Sequence, residues 1–110
     1  MRPQPTPYSE IEQAIKTVAR AVGASKAILF ESSARGTATR RSDVDVIFVQ
    51  ETRLRFLDRS GEPLRLLSRT MHGRGIDVLV YTPSEFEHMK AGGNAFVRRV
   101  IREGKVLYGA

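Results

Sequence analysis

The sequence predicts an α/β (α+β) fold, a small mixed β-sheet flanked by helices. Three observations predict it. Short, strongly apolar runs recur at 26–30, 43–49 and 76–81, as expected of strands covered by other elements. Stretches with helical periodicity lie at 9–22, about 83–90 and about 94–103. Glycine or proline punctuates most of the junctions. The order is helix, strand, loop, strand, helical stretch, strand, helix, helix. The helices are expected mainly on one face of the sheet.

Residues 1–8 read as a flexible leader, because Pro3, Pro5 and Pro7 oppose a helix there. Residues 9–110 then form a single domain. Ser9 and Glu12 have capping-box spacing at the start of the first helix. Ile11, Ala14, Ile15, Val18, Ala19 and Val22 mark its buried face, and Gly23 ends it. The first strand is Lys26 to Phe30. The segment from Glu31 to Ser42 is small, polar and basic, a loop or a short exposed helix. In the second strand, Asp43 to Val49, the period of two places Val44, Val46 and Phe48 on one face. Asp43, Asp45, Ile47 and Val49 take the other.

Between 50 and 75, leucines suggest helical segments broken near Gly61 and Pro63. The third strand runs from Ile76 to Tyr81. Thr82, Pro83 and Glu85 then supply a cap, a proline at the first helical position and an acid at the third. This helix stops at Gly92-Gly93. The last helix is expected to bury Phe96, Val97, Val100 and Ile101. Gly104 caps it, and Val106-Leu107-Tyr108 form a short edge strand.

Composition narrows the chemistry. The chain has 110 residues and no cysteine, which excludes disulfides, thiolate metal sites and a cysteine nucleophile. No apolar run approaches the ~20 residues of a membrane span, and no signal-peptide core follows Met1. A cytoplasmic location without membrane contact is expected. Fourteen arginines and four lysines give a net charge of +6. Such a surface fits a nucleotide, an RNA or an acidic protein, and fits equally a merely solvated face. His72 and His88 lack metal-ligand spacing and receive no role.

Two features carry chemistry. Asp43 and Asp45 leave one face of a strand, with α-carbons about 6.5–7 Å apart. Asp77 starts the next strand. If those strands are neighbours, three carboxylates converge at one sheet end, where they repel unless cations neutralise them. Oxygen ligands favour magnesium or manganese, and two such ions can clamp an in-line phosphoryl displacement. A surface turn at Ser42-Asp43 is the plainer alternative. Upstream, Ser32, Ser33, Arg35 and Gly36 follow an apolar strand, a composition able to wrap a phosphate. An ordinary strand-to-helix turn, with Ser32 or Ser33 as cap, uses the same residues.

Taken together, Ser32, ten residues (33–42) and Asp43-Val44-Asp45, with Ala34-Arg35-Gly36 between, resemble the minimal nucleotidyltransferases of the polymerase-beta-like superfamily. Ile76-Asp77-Val78 matches the third carboxylate of that family, and the tail from Pro83 to Tyr108 also looks like it. The resemblance implies a nucleotidyltransferase fold and transfer of a nucleoside monophosphate, AMP in some members, from a nucleoside triphosphate to a hydroxyl. It implies two magnesium ions on Asp43, Asp45 and Asp77, with Asp77 also activating the acceptor hydroxyl. Ser32 would contact the triphosphate; from the residues themselves, Ser33, Arg35 and Gly36 are further candidates for the nucleotide site, Arg35 for an added phosphate contact. Minimal members often act as antitoxins paired with a small helical HEPN protein, which would be the partner here. Self-association is the other way to complete an acceptor site.

The chain departs from the family at one position: Glu31 stands where the motif has glycine. A carboxylate beside a triphosphate repels it, which predicts weakened nucleotide affinity. A side chain turned outward onto Arg35 or Arg40 would avoid this. Three readings therefore stand: the enzyme, a catalytically impaired antitoxin that still binds its partner, and a basic RNA-binding module.

Overall fold

The computed structural model describes residues 7–30, 42–71 and 75–109. Helix α1 spans Tyr8–Val22, strand β1 Lys26–Phe30 and strand β2 Ser42–Val49. A single 3-10 turn at Phe56–Asp58 leads into α2, Gly61–Ser68. Strand β3, Gly75–Tyr81, is followed by α3, Pro83–Ala91, α4, Ala95–Glu103, and β4, Lys105–Tyr108. The expected leader falls largely on 1–6, outside the described residues, and so does the expected loop at 31–41.

The four strands form one mixed sheet in the order β3-β2-β1-β4. β1 runs antiparallel to β2 and to β4, and β2 runs parallel to β3. Alternation along the strands divides the core. Ala27, Leu29, Val44, Val46, Phe48, Val78 and Val80 face Ile11, Ile15 and Val18 of α1 and Leu67 of α2. Ile28, Phe30, Ile47 and Val49 face Phe86 of α3 and Val97 and Val100 of α4. Helices thus cover both faces, where the sequence suggested mainly one. The physical reason is visible in β1, whose residues Ala27 to Phe30 are all buried and need apolar cover on each side.

Several local expectations change. The Ser9–Glu12 capping box does not form, because α1 starts one residue earlier and places Ser9 inside the first turn. The Pro7 carbonyl accepts the amides of Glu10 and Ile11, and the Glu12 carboxylate instead meets Lys105 Nζ at 2.9 Å. Gly23 ends the helix with φ 73°, a conformation that favours glycine. Gly61 and Pro63 do not break a helix but begin α2. Proline is tolerated in a first turn, whose amides lack intrahelical partners. Phe96 and Ile101 of α4 are exposed, leaving Val97 and Val100 as its buried stripe.

The Thr82–Glu85 capping box forms as expected, with both reciprocal hydrogen bonds present. Glu85 is also clamped by Arg59, at 2.6 and 3.2 Å. The same guanidinium donates to the carbonyls of Leu54 and Val80. Arg59 therefore pins the 51–60 connection against the last turn of β3. Phe56, stacked on Tyr81 at 5.5 Å, reinforces the attachment. Gly104 joins α4 to β4 at a point where a Cβ would press on the Val100 carbonyl and lie 2.7 Å from Ile28 Cγ2.

Candidate active site

The parallel pairing of β2 and β3 sets the geometry of the site. Asp45 is the register partner of Asp77. Parallel neighbours in register carry their side chains to the same face, with strands about 4.8 Å apart. On β1, the register partner of Asp45 is Phe30, the last residue of the strand. All three residues lie on the face covered by α3 and α4, since Phe30, Ile47 and Leu79 belong to that core. The two carboxylates therefore sit together where β1 ends and where β2 and β3 begin. Phe30 and Ser42, which flank residues 31–41, lie at this end of the sheet.

Asp45 is half-buried and Asp77 exposed, and both interact with other groups of the chain. Their juxtaposition is what the sequence suggested on the condition that the strands were neighbours. Asp43 is a different case. The register passes from Ser42 opposite Gly75 to Val44 opposite Ile76, so Asp43 is an extra residue in β2. A bulge interrupts strict alternation. The spacing argument that placed Asp43 and Asp45 on one face therefore does not hold across this step. The Asp43 side chain lies outside the described residues, as do Glu31, Ser32, Ser33, Arg35 and Gly36.

Among the described residues, no cluster of three carboxylate or imidazole groups able to hold a metal ion forms. The donor chemistry of the described pair still fits a hard divalent cation. Two carboxylates at one register position supply oxygen ligands only, the set that magnesium and manganese prefer.

On α4, the Arg99 guanidinium lies over the Phe30 ring, 5.5 Å from its centroid. Phe96 meets the same ring edge-on at 6.2 Å. Arg99 has no local sequence signal that marks it as a site residue. Only the packing of α4 on the end of β1 brings it to this corner of the sheet.

Of the basic segment 53–74, Arg59 and the neighbouring Phe56 lie elsewhere. They are fixed to Val80 and Tyr81 at the opposite end of β3. A groove of about 690 Å³ between α1 and α2, lined by Ala14, Val18, Ala21 and Leu66 among others, opens on the face opposite the carboxylates. Among the described residues, no helix is long and apolar enough to cross a membrane.

Comparison with known proteins bears on this arrangement. A solved structure described as a "putative nucleotidyltransferase" from Sulfolobus solfataricus is 23% identical over 73% of this chain and 74% of that one, with a TM-score of 0.43. A likeness at that level carries no argument by itself. No curated protein matches significantly. The family model for the nucleotidyltransferase domain matches residues 11–108, from within the first turn of α1 to the end of β4, and includes both paired carboxylates. A match of that extent shows that the chain belongs to the nucleotidyltransferase domain family.

Proposed function

We propose that this chain transfers a nucleoside monophosphate, AMP in the first instance, from a nucleoside triphosphate to a hydroxyl group. The observation that carries the reading is the pairing of Asp45 with Asp77 inside a nucleotidyltransferase domain. Family membership supplies the reaction class and the triphosphate substrate. The carboxylate pair supplies a place for the divalent cation, and Asp43 joins it as the third ligand by its position in the motif.

Asp45 and Asp77 would hold magnesium, or manganese in its place, with two ions when Asp43 takes part. Bound there, the metal supplies charge neutralisation for the phosphates and a lowered pKa for a coordinated hydroxyl. The chain's own residues do the rest. Asp77 is exposed and able to receive the acceptor's proton. Ser32, Ser33, Arg35 and Gly36 orient the phosphates. The acceptor oxygen forms a bond to the α-phosphorus, the bond from that phosphorus to the β-phosphate oxygen breaks, and pyrophosphate leaves with its electron pair.

The acceptor we favour is a hydroxyl on a small helical protein of the HEPN type, with this chain as its cytoplasmic antitoxin. Glu31 supports a second reading, in which partner binding persists while turnover is weak. The test is incubation with α-labelled ATP, magnesium and such a partner. Label entering the partner, and absent with Asp77→Asn, supports the transferase. A partner that is bound and neutralised without label, equally well by Asp43→Ala, supports the impaired antitoxin.

A further inference from the structure

We infer that Arg99 is a phosphate-contacting, substrate-positioning residue of the nucleotide site, and that Phe30 is the platform that aims it. The inference rests on the nucleotidyl-transfer reading and deepens it. Phe30 is 3% exposed, so its ring is part of the core and unavailable to a base. It nevertheless ends β1 at the register position of Asp45. Its Cα is therefore about 5 Å from that of Asp45, with both side chains on one face. Arg99 covers this ring, its guanidinium 5.5 Å from the centroid, and so stands at the same corner of the sheet as Asp45.

The guanidinium is held on two sides and presented on a third. Its Nε donates to Glu103 Oε2 at 3.1 Å, one turn further along α4. Phe96 meets the Phe30 ring edge-on at 6.2 Å. The described hydrogen bond uses Nε alone, which leaves the two terminal nitrogens for a ligand. Arginine in this state offers parallel N–H donors to a phosphate at little further entropic cost. The side chain is only partly exposed, at 23%, so the interaction is less screened than one on an open surface.

A structural explanation competes with this one. Arg99 forms an i,i+4 ion pair with Glu103 and a cation–π contact, and both steady α4. The two roles separate by measurement. Calorimetric titration of magnesium-ATP and of magnesium-tripolyphosphate is carried out on the wild type, Arg99→Gln, Arg99→Lys and Arg98→Gln. Arg98 sits beside Arg99 on α4, with its guanidinium near Gly93, and its replacement removes the same charge. Arg99→Gln is expected to weaken both ligands by about 10-fold or more, the size of a lost charge-assisted contact. Arg99→Lys restores part of the loss, and Arg98→Gln leaves affinity within about 2-fold. Equal affinity of wild type and Arg99→Gln, or equal losses in Arg99→Gln and Arg98→Gln, overturns the assignment of Arg99 and leaves the transferase standing. A wild type that binds neither ligand overturns both.

Discussion

Asp45 of β2 and Asp77 of β3 are register partners in the parallel pair of strands that the described residues form. The antiparallel pairing of β1 with β2 then places Phe30, the last residue of β1, opposite Asp45. A parallel pair needs a crossover, here the stretch containing α2, while the antiparallel pair needs only a direct return. The mixed topology thus gathers two carboxylates, the last residue of β1 and the first residues of β2 and β3 at one end of the sheet.

Replacing either carboxylate should remove activity without unfolding the protein. For Asp77→Asn we expect at least about a 100-fold loss of label transfer, as for a group acting on the reacting centre. Asp77 is exposed, so the stability change should stay within about 1 kcal/mol. Parallel rate and thermal-unfolding measurements check this. A loss of activity that only tracks a loss of stability would assign Asp77 a structural role.

Glu31→Gly should tighten magnesium-nucleotide binding. The substitution removes a negative charge and a side chain from the position where the family has glycine. We expect about a 10-fold gain, equivalent to about 1.4 kcal/mol. Unchanged affinity in a titration of the two proteins would show that the carboxylate does not face the phosphates.

The Arg59–Glu85 clip makes stability depend on acid. The Arg59 hydrogen bond, with the backbone bond at Thr82 second, holds the Glu85 carboxyl below its ordinary range. Unfolded glutamate titrates near 4.3, so over this window the unfolded chain binds more protons than the folded one. The contribution is present above about pH 4.3 and fades as pH falls through the lower folded value. Glu85→Gln should therefore flatten the acid limb of a stability-against-pH curve. Arg59→Ala should do so too, and should cost about 2–3 kcal/mol at neutral pH through the lost bonds to Val80 and Leu54. Superimposable acid limbs would contradict the assignment.

Gly104→Ala should destabilise by about 1–3 kcal/mol, the range for overpacking. Its added Cβ meets the Val100 carbonyl and Ile28 Cγ2, so α4 or β4 must shift. Denaturant unfolding measures the loss. An alanine variant as stable as wild type would mean that the α4–β4 junction yields freely.

Much of this was legible in the sequence. Thr82-Pro83-Ser84-Glu85 defines its own helix start, since cap, proline and acid act within one turn. β1 was recognisable because five residues with almost no polar side chain admit few alternatives. Its cover on both faces was implied there as well, though helices were expected mainly on one. What the sequence could not convey depends on pairing. The bulge at Asp43 arises from the register between β2 and β3, and no local pattern signals it. Arg59 joins residues 21 and 26 positions away, a pairing that no local pattern signals. Arg99 reaches the site only because α4 packs on the end of β1.

The most direct test of the central claim is a calorimetric titration of magnesium-ATP and magnesium-GTP into the wild type and Asp45→Asn, each repeated without magnesium. One of the two nucleotides is expected to bind the wild type only with magnesium, and that binding is expected to be lost in the variant. Binding that is indifferent to the metal, or equal in the two proteins, would contradict it.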